Sequence, residues 1–224
     1  MLDVVELESV DSPQWSVIWL HGLGADGNDF VPIAPELVRS GWPALRFVFP
    51  HAPFRAVTVN NGALMRAWYD IREFDLANRA DEAGVIESVS QVEALIVREG
   101  ERGIPPHRVL LAGFSQGGAM TLAAGLQRQV PLAGLIVLSA YLPLGPTALA
   151  ALDEATPQAA RKQPVFMAHG QHDPVVPYQA GAASAKRIAS LGIKLDWHAY
   201  PMAHQVSAQQ ISDLGDWMTA RFTE

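Results

Sequence analysis

The residues with the clearest chemical potential are the six at positions 113–118, Gly-Phe-Ser-Gln-Gly-Gly. They lie between an apolar run and an alanine-rich run, which predicts a sharp turn from a strand into a helix. A G-x-S-x-G turn of this kind strains the backbone at its serine and leaves the hydroxyl exposed above the sheet edge. The helix start beneath the turn favours developing negative charge. Ser115 is therefore predicted to be a nucleophile.

A serine hydroxyl is a weak nucleophile near neutral pH, so Ser115 needs a histidine base and a carboxylate that orients this base. In turns of this type the chain order is serine, acid, histidine. His204 is the predicted base, because it follows the last predicted strand in a loop that can reach the sheet edge. His169 and His198 also follow the serine, but they fall at the end and in the interior of predicted strands and are predicted to be structural.

Asp173 is the predicted acid. It comes directly after the apolar run at residues 164–168, and in an open α/β sheet sites form at the carboxyl ends of the strands. Asp153 and Glu154 lie in an alanine-rich stretch typical of a solvated helix, and Asp196 lies inside a predicted strand. A simple turn or helix-cap aspartate is the alternative interpretation of Asp173.

The turn at residues 21–24, His-Gly-Leu-Gly, follows an early apolar strand. Such a turn is typical of the hydrolase loop that supplies one oxyanion N–H, while the residue after the nucleophile supplies the other. The predicted donors are therefore the backbone N–H groups of Leu23 and Gln116. Fixed amides stabilise charge that forms only in the transition state, and losing one donor costs about 3–4 kcal/mol. His21 is predicted to orient this loop.

Five segments, in order, resemble the phospholipase/carboxylesterase family, the bacterial relatives of acyl-protein thioesterases: residues 21–30, 49–53, 68–71, 113–118 and 170–177. The resemblance implies an α/β-hydrolase fold, with a central, mostly parallel sheet, helices on both faces and no large cap domain. It also implies a serine carboxylesterase that hydrolyses carboxylic esters of short to medium acyl chain through an acyl-enzyme on the serine, and a possible homodimer.

Three alternatives stay open. An acyl-protein thioesterase or lysophospholipase would use the same three residues, and a noncatalytic binding protein would share the fold without the chemistry. A metal site at His169, His172 and Asp173 is a weaker alternative, because no further ligand accompanies them. The expected enzyme thus has no metal and no cofactor, and its partner is a small-molecule ester or lipid-like substrate.

Composition limits the class of protein. The chain has 224 residues, 49% of them hydrophobic, which predicts a single α/β domain over residues 1–224. A net charge of −7 argues against nucleic acid as a partner. The chain has no cysteine, which fits a reducing compartment, and it shows neither a signal peptide nor a membrane-spanning apolar run. We therefore expect a cytoplasmic protein with no integral membrane association.

Alternating apolar runs and helical periods predict a parallel sheet with crossover helices. The predicted strands are residues 4–9, 15–20, 45–49, 108–112, 133–139, 164–169 and 194–200. The predicted helices are residues 29–40, 81–102, 116–129, 178–191 and 206–222. In the second of these, an apolar stripe places Glu99 on the polar side.

Two loop-rich stretches, residues 50–79 and 141–163, are the predicted specificity elements, because long loops in a small domain usually bind something. The candidate substrate-binding residues in them are Leu64, Met65, Trp68 and Tyr141. Packing in the core or a dimer contact is the alternative for each of these side chains. Asp70 and Arg72 are predicted to form a local ion pair.

Overall fold

A seven-stranded sheet forms the centre of the computed structural model, which describes residues 2–73 and 81–223. The strands in the described residues are β1 (Val4–Glu8), β2 (Trp15–Leu20), β3 (Leu45–Pro50), β4 (Phe54–Val57), β5 (Ala63–Arg66), β6 (Val109–Phe114), β7 (Gly134–Leu138), β8 (Val165–Gly170) and β9 (Leu195–Tyr200). The sheet order is β1-β3-β2-β6-β7-β8-β9. Only β1 pairs antiparallel to its neighbour in this sheet, and β4 and β5 form a separate antiparallel hairpin.

Helices cover both faces of this sheet. They are α1 (Ile33–Leu37), α2 (Glu82–Glu101), α3 (Gln116–Gly125), α4 (Pro146–Ala150), α5 (Leu152–Ala155), α6 (Tyr178–Ser190) and α7 (Ala208–Thr223). One apolar core joins the sheet to α2, α3 and α6, and a second joins it to α1 and α7. Both cores therefore depend on the central strands.

Strand β2 illustrates how one sequence serves both cores. Ile18 and Leu20 pack into the core with α2 and α3, whereas Val17 and Trp19 pack into the core with α1 and α7. All four side chains are at most 1% exposed. Because each face is covered, the central strands are continuous apolar runs, which is the pattern that the sequence predicted.

All seven predicted strands occur, and their ends differ by at most two residues from the prediction. The predicted helix at residues 29–40 is wrong, since only Ile33–Leu37 is α-helical. The preceding residues form successive four-residue turns, closed by hydrogen bonds such as Asp29 N–H to Asp26 O and Val31 N–H to Asn28 O. The Asp26 carboxylate also accepts the Asn28 N–H, an alternative to the helical bond that short polar side chains favour.

The two loop-rich stretches contain regular structure that the sequence reading missed. Strands β4 and β5 lie in the first stretch, and the part of that stretch beyond residue 73 lies outside the described residues. Helices α4 and α5 lie in the second. The hairpin had a sequence signal in Asn61-Gly62, since both residues adopt positive φ, 56° and 73°, as Asn-Gly commonly does in hairpin turns.

The predicted polar position of Glu99 is wrong, because its side chain is fully buried. It pairs with Arg46 of β3 at 3.0 Å and with Arg102 at 2.9 Å. We call this group the Arg46–Glu99 cluster; it also includes Arg98 and two glutamates of β1, Glu6 and Glu8. A buried charge needs such partners, and the cluster ties the edge strand β1 to β3 and α2.

The predicted ion pair between Asp70 and Arg72 is also wrong. Asp70 accepts hydrogen bonds from the backbone N–H and the hydroxyl of Thr58, at 2.7 and 2.6 Å. Arg72 instead pairs with Asp81, the residue that caps the start of α2. Asp70 is thus stabilised by two hydrogen bonds and Arg72 by an ion pair, each with a partner other than its near neighbour in sequence.

Candidate active site

Ser115 lies at the turn between β6 and α3, with φ 55° and ψ −119°. This backbone conformation is strained for a residue with a side chain, and surrounding contacts hold it. A Cβ on Gly113 would lie 2.3 Å from the Gly117 carbonyl, and a Cβ on Gly117 would lie 2.2 Å from the Leu20 carbonyl oxygen. The two flanking glycines therefore allow the strand and helix to cross closely enough to hold the serine at the sheet edge.

The structure brings together three side chains that are far apart in sequence. Ser115 Oγ lies 2.9 Å from His204 Nε2, and His204 Nδ1 lies 2.7 Å from Asp173 Oδ2. Because the carboxylate can only accept, Nδ1 carries the imidazole proton, which leaves Nε2 free to accept from the serine hydroxyl. The geometry thus allows a proton to pass from the serine to the imidazole.

Asp173 is fixed on both oxygens. Its side chain is fully buried, and Oδ1 accepts the backbone N–H groups of Val175 and Val176, each at 2.8 Å. Oδ2 is thereby directed at His204. The charge is stabilised by donors that do not need to reorganise when the histidine becomes protonated.

A second histidine borders the same carboxylate. His169 is fully buried at the end of β8, as predicted, and its Nε2 lies 3.5 Å from Asp173 Oδ2. This nitrogen donates to the carbonyl oxygen of Val176 at 2.9 Å. Burial lowers the pKa of His169, so the ring is neutral near pH 7 and adds no second positive charge next to Asp173. In the sequence, the only indication of this contact is that His169 and Asp173 lie four residues apart, on either side of the end of β8.

Phe114, the residue before the serine, packs against the base. Its ring centroid is 4.7 Å from that of His204, and it continues into an aromatic row with Phe30 and Trp19. The sequence reading did not assign a role to Phe114, because the second position of G-x-S-x-G carries no chemical signal. Its contact limits the orientations that the imidazole can adopt.

The turn that carries Leu23 lies directly against the serine. A Cβ on Gly22 would be 3.4 Å from Ser115 Cβ, which shows how closely the two segments approach. His21 anchors this turn, since its Nε2 accepts the Ala52 N–H at 3.0 Å and its Nδ1 donates to the Gly22 carbonyl at 2.7 Å. Burial lowers the pKa of His21 to about 4, so it is a neutral structural group near pH 7.

The four candidate substrate residues divide into two pairs. Leu64 and Met65 line a cleft of about 630 Å³ between the β4–β5 hairpin and the turn after Leu23. Leu64 is 70% exposed there. Trp68 and Tyr141 are 0% and 5% exposed and belong to the interior, and the Tyr141 hydroxyl lies 3.2 Å from that of Tyr69. Leu64 and Met65 are thus the pair that faces an open cleft, and substrate contact by any of the four residues stays a prediction.

The weaker metal alternative finds no support in the side-chain geometry. Within residues 2–73 and 81–223, no three histidine, aspartate or glutamate side chains converge as a metal site would require. His169 is directed at a backbone carbonyl, whereas His172 is exposed.

Comparison with known proteins gives the family. The family model for phospholipases and carboxylesterases matches residues 4–221. This chain belongs to the phospholipase/carboxylesterase family. Carboxylesterase SOBER1 of Arabidopsis thaliana is 36% identical over 208 residues, which cover 92% of this chain and 90% of the relative. Acyl-protein thioesterase 1 of Cryptococcus neoformans is 36% identical over 220 residues, covering 91% and 90%.

Solved structures agree with the family assignment. The crystal structure of Arabidopsis SOBER1 has a TM-score of 0.85 at 35% identity, covering 92% of this chain and 98% of that chain. Acyl-protein thioesterase 2 of Zea mays has a TM-score of 0.83 at 23% identity, covering 99% and 100%, and so shares the fold. The fold is thus that of the α/β hydrolases without a large cap domain, and the chain is a carboxylic ester hydrolase. No helix in the described part of the chain is long and apolar enough to span a membrane.

Proposed function

We propose that the chain is a serine carboxylesterase that hydrolyses esters of short to medium acyl chain through an acyl-enzyme on Ser115. The observation that supports this most directly is the hydrogen-bonded series from Ser115 through His204 to Asp173. A nucleophile, its base and the group that orients the base are the parts that acyl transfer requires.

In the proposed reaction, Ser115 Oγ attacks the ester carbonyl carbon while His204 Nε2 takes the hydroxyl proton. The backbone N–H groups of Leu23 and Gln116 donate to the oxyanion of the tetrahedral intermediate. The intermediate collapses, the carbon–oxygen bond to the alcohol breaks, and His204 returns the proton to the leaving oxygen. A water molecule then gives its proton to the same imidazole and attacks the acyl-enzyme, which releases the acid and restores the serine.

Asp173 takes no proton in this scheme. Its role is to keep the Nδ1 proton of His204 in place and to stabilise the imidazolium that forms twice in each cycle. The two backbone N–H groups on its other oxygen, those of Val175 and Val176, support this role because they hold the carboxylate in a fixed orientation.

The hairpin supports the proposed range of acyl chains. Leu64 and Met65 offer apolar surface in an open cleft beside the turn that carries Leu23. An alkyl chain placed there would cover the exposed Leu64 side chain, and each buried methylene contributes about 0.8 kcal/mol. Medium chains would therefore gain more than acetyl groups from contact with these side chains.

Thioester hydrolysis is the second candidate, favoured by the similarity to the Cryptococcus acyl-protein thioesterase. The same residues would attack a thioester carbonyl without change. We expect kcat/KM measured side by side on acyl esters, acyl thioesters and lysolipids of matched chain length to rank these substrate classes.

The serine tests the whole proposal. Ser115→Ala should lower kcat on p-nitrophenyl butyrate by about 10⁴-fold or more, because the nucleophile is lost while the fold stays intact. A fluorophosphonate should label the unchanged protein with a stoichiometry of about one and the variant not at all. Wild-type activity in the variant would contradict the mechanism, and an unlabelled, inactive wild type would favour a noncatalytic binding protein.

A homodimer and a cytoplasmic location remain predictions. Light scattering on the purified protein across a concentration series would give the oligomeric state. A mass of one chain at all concentrations would contradict the dimer.

A further inference from the structure

Trp68 is fully buried, and both of its N–H groups are used. Its backbone N–H donates to the side-chain Oε1 of Gln116 at 2.8 Å, and its indole Nε1–H donates to the backbone carbonyl of His21 at 2.9 Å. A single residue thus bonds to two segments that are 95 residues apart in sequence, the turn at the end of β2 and the start of α3.

These two segments are the ones that carry the proposed oxyanion donors. Gln116 contributes its own backbone N–H, and His21 lies two residues before Leu23. Two further hydrogen bonds hold Trp68 and Gln116 in place. Gln116 Nε2 donates to the Tyr69 carbonyl at 2.8 Å, and the Ser88 hydroxyl donates to the Trp68 carbonyl. The tryptophan is therefore held by its neighbours in the position from which it holds the two segments.

We infer that Trp68 is a positioning residue that fixes the distance between the two oxyanion amides, an inference that rests on the proposed roles of Leu23 and Gln116. Backbone amides stabilise an oxyanion only when both are held at hydrogen-bond distance from one oxygen. A displacement of about 1 Å in such a site lowers the rate by up to about 10²-fold. A rigid indole between the two segments prevents that displacement.

The effect of Trp68 is specific to one kinetic parameter. The oxyanion exists in the transition state and not in the bound ester, so loss of alignment lowers kcat and leaves KM nearly unchanged. A residue that lined the substrate cleft would instead raise KM. The two roles for Trp68, cleft wall or support of the oxyanion amides, therefore predict different results.

Trp68→Phe removes the indole donor and keeps an aromatic ring in the core. Trp42→Phe is the matched control, because Trp42 precedes β3, at the end of the parallel strands opposite Ser115, and its indole Nε1–H donates to Thr219 Oγ1 at 2.9 Å. Both variants remove the same atoms and one indole hydrogen bond. Only the first removes a hydrogen bond to the His21 carbonyl.

For Trp68→Phe we expect kcat on p-nitrophenyl butyrate to fall about tenfold, with KM within about twofold of wild type. The Ki of a trifluoromethyl ketone, which forms a tetrahedral adduct with the serine, should rise by a similar factor. Trp42→Phe should leave both parameters within about twofold. The melting temperature of each variant, measured alongside, separates these effects from loss of fold.

Gln116→Met is a second variant that keeps the backbone amide and removes the acceptor for the Trp68 N–H. It should also lower kcat more than it changes KM, and it decides the question if Trp68→Phe does not fold. Equal kinetics for Trp68→Phe and Trp42→Phe, or a change in KM alone, would overturn the inference. If Ser115→Ala is inactive while both Trp68→Phe and Gln116→Met keep wild-type kcat, the proposed function stands and only this inference fails.

Discussion

The two sides of Ser115 differ in what holds them in place. On the acid side, Asp173 is fully buried and uses both oxygens in short hydrogen bonds. On the hairpin side, Leu64 and Phe54 are 70% and 59% exposed and line an open cleft. The acid side is fixed by directed polar contacts, whereas the hairpin presents apolar surface to solvent.

This difference separates the chemistry from the choice of substrate. A buried carboxylate with several partners has one orientation, which proton transfer requires. An exposed apolar side chain gains free energy from any alkyl group that covers it, and it can be exchanged without disturbing the fold. Substitutions on the acid side should therefore affect all substrates alike, and substitutions in the hairpin should affect medium acyl chains more than short ones.

The largest effect should come from Asp173→Asn. The amide keeps the size of the carboxylate, but it no longer holds the Nδ1 proton of His204, so kcat should fall about 10³–10⁴-fold for every acyl chain length. Steady-state kinetics on acetyl, butyryl and octanoyl p-nitrophenyl esters would measure this. Asp196→Asn, an exposed aspartate on β9, is the control and should keep wild-type rates. A loss confined to one chain length would contradict the separation.

The next largest effect is a pH dependence of protein stability that comes from His21, the residue that anchors the turn at residues 21–24. Burial lowers the pKa of His21 to about 4, below its ordinary 6.5, so the unfolded chain binds a proton there more readily than the folded one. The free energy of unfolding should therefore include the full contribution of His21 above pH 6.5, and it should decrease as pH falls towards 4. The contribution of His21 lost between pH 7 and 4.5 is about 2–3 kcal/mol.

Urea unfolding at a series of pH values measures this contribution. His21→Gln removes the titrating group, so the variant should be less stable at pH 7 and should lose less stability on acidification than wild type. His107→Gln, at an exposed histidine, is the control and should follow the wild-type curve. Parallel curves for His21→Gln and wild type would mean that His21 titrates equally in the folded and unfolded chains.

The smallest effect should come from Leu64→Ala in the hairpin. Removing part of the apolar wall should lower kcat/KM on octanoyl esters about fivefold, equivalent to about 1 kcal/mol, and leave acetyl esters within about twofold. Ile86→Ala, at an exposed apolar residue of α2, is the control. An equal loss on acetyl and octanoyl esters would place Leu64 outside the acyl site.

The sheet was predictable because its central strands are buried on both faces. Both ends of strand β2 were predicted correctly, because the apolar run from Trp15 to Leu20 is bounded by polar residues and a glycine turn. The order of serine, acid and histidine along the chain was enough to select the residues that the structure joins by hydrogen bonds. Local sequence carries this information because each side chain follows a strand end.

The error at Glu99 has its physical cause in a contact made by a residue distant in sequence. The helical periodicity predicted that Glu99 lies on the polar face of α2, but its side chain is buried, where it pairs with Arg46 of β3. Trp68 is fully buried, and its two N–H groups donate to the turn after β2 and to the Gln116 side chain, contacts that its apolar character does not indicate. A helical or apolar pattern gives no information about which polar partner another strand will supply.

Strand β1 lies at one margin of the sheet. Its two glutamates form ion pairs within the Arg46–Glu99 cluster. A strand only five residues long, with carboxylates held along it, is a poor template for adding another chain through main-chain bonds. The opposite margin, β9, carries the exposed Asp196. Edge-to-edge association through these two margins of the central sheet is therefore disfavoured.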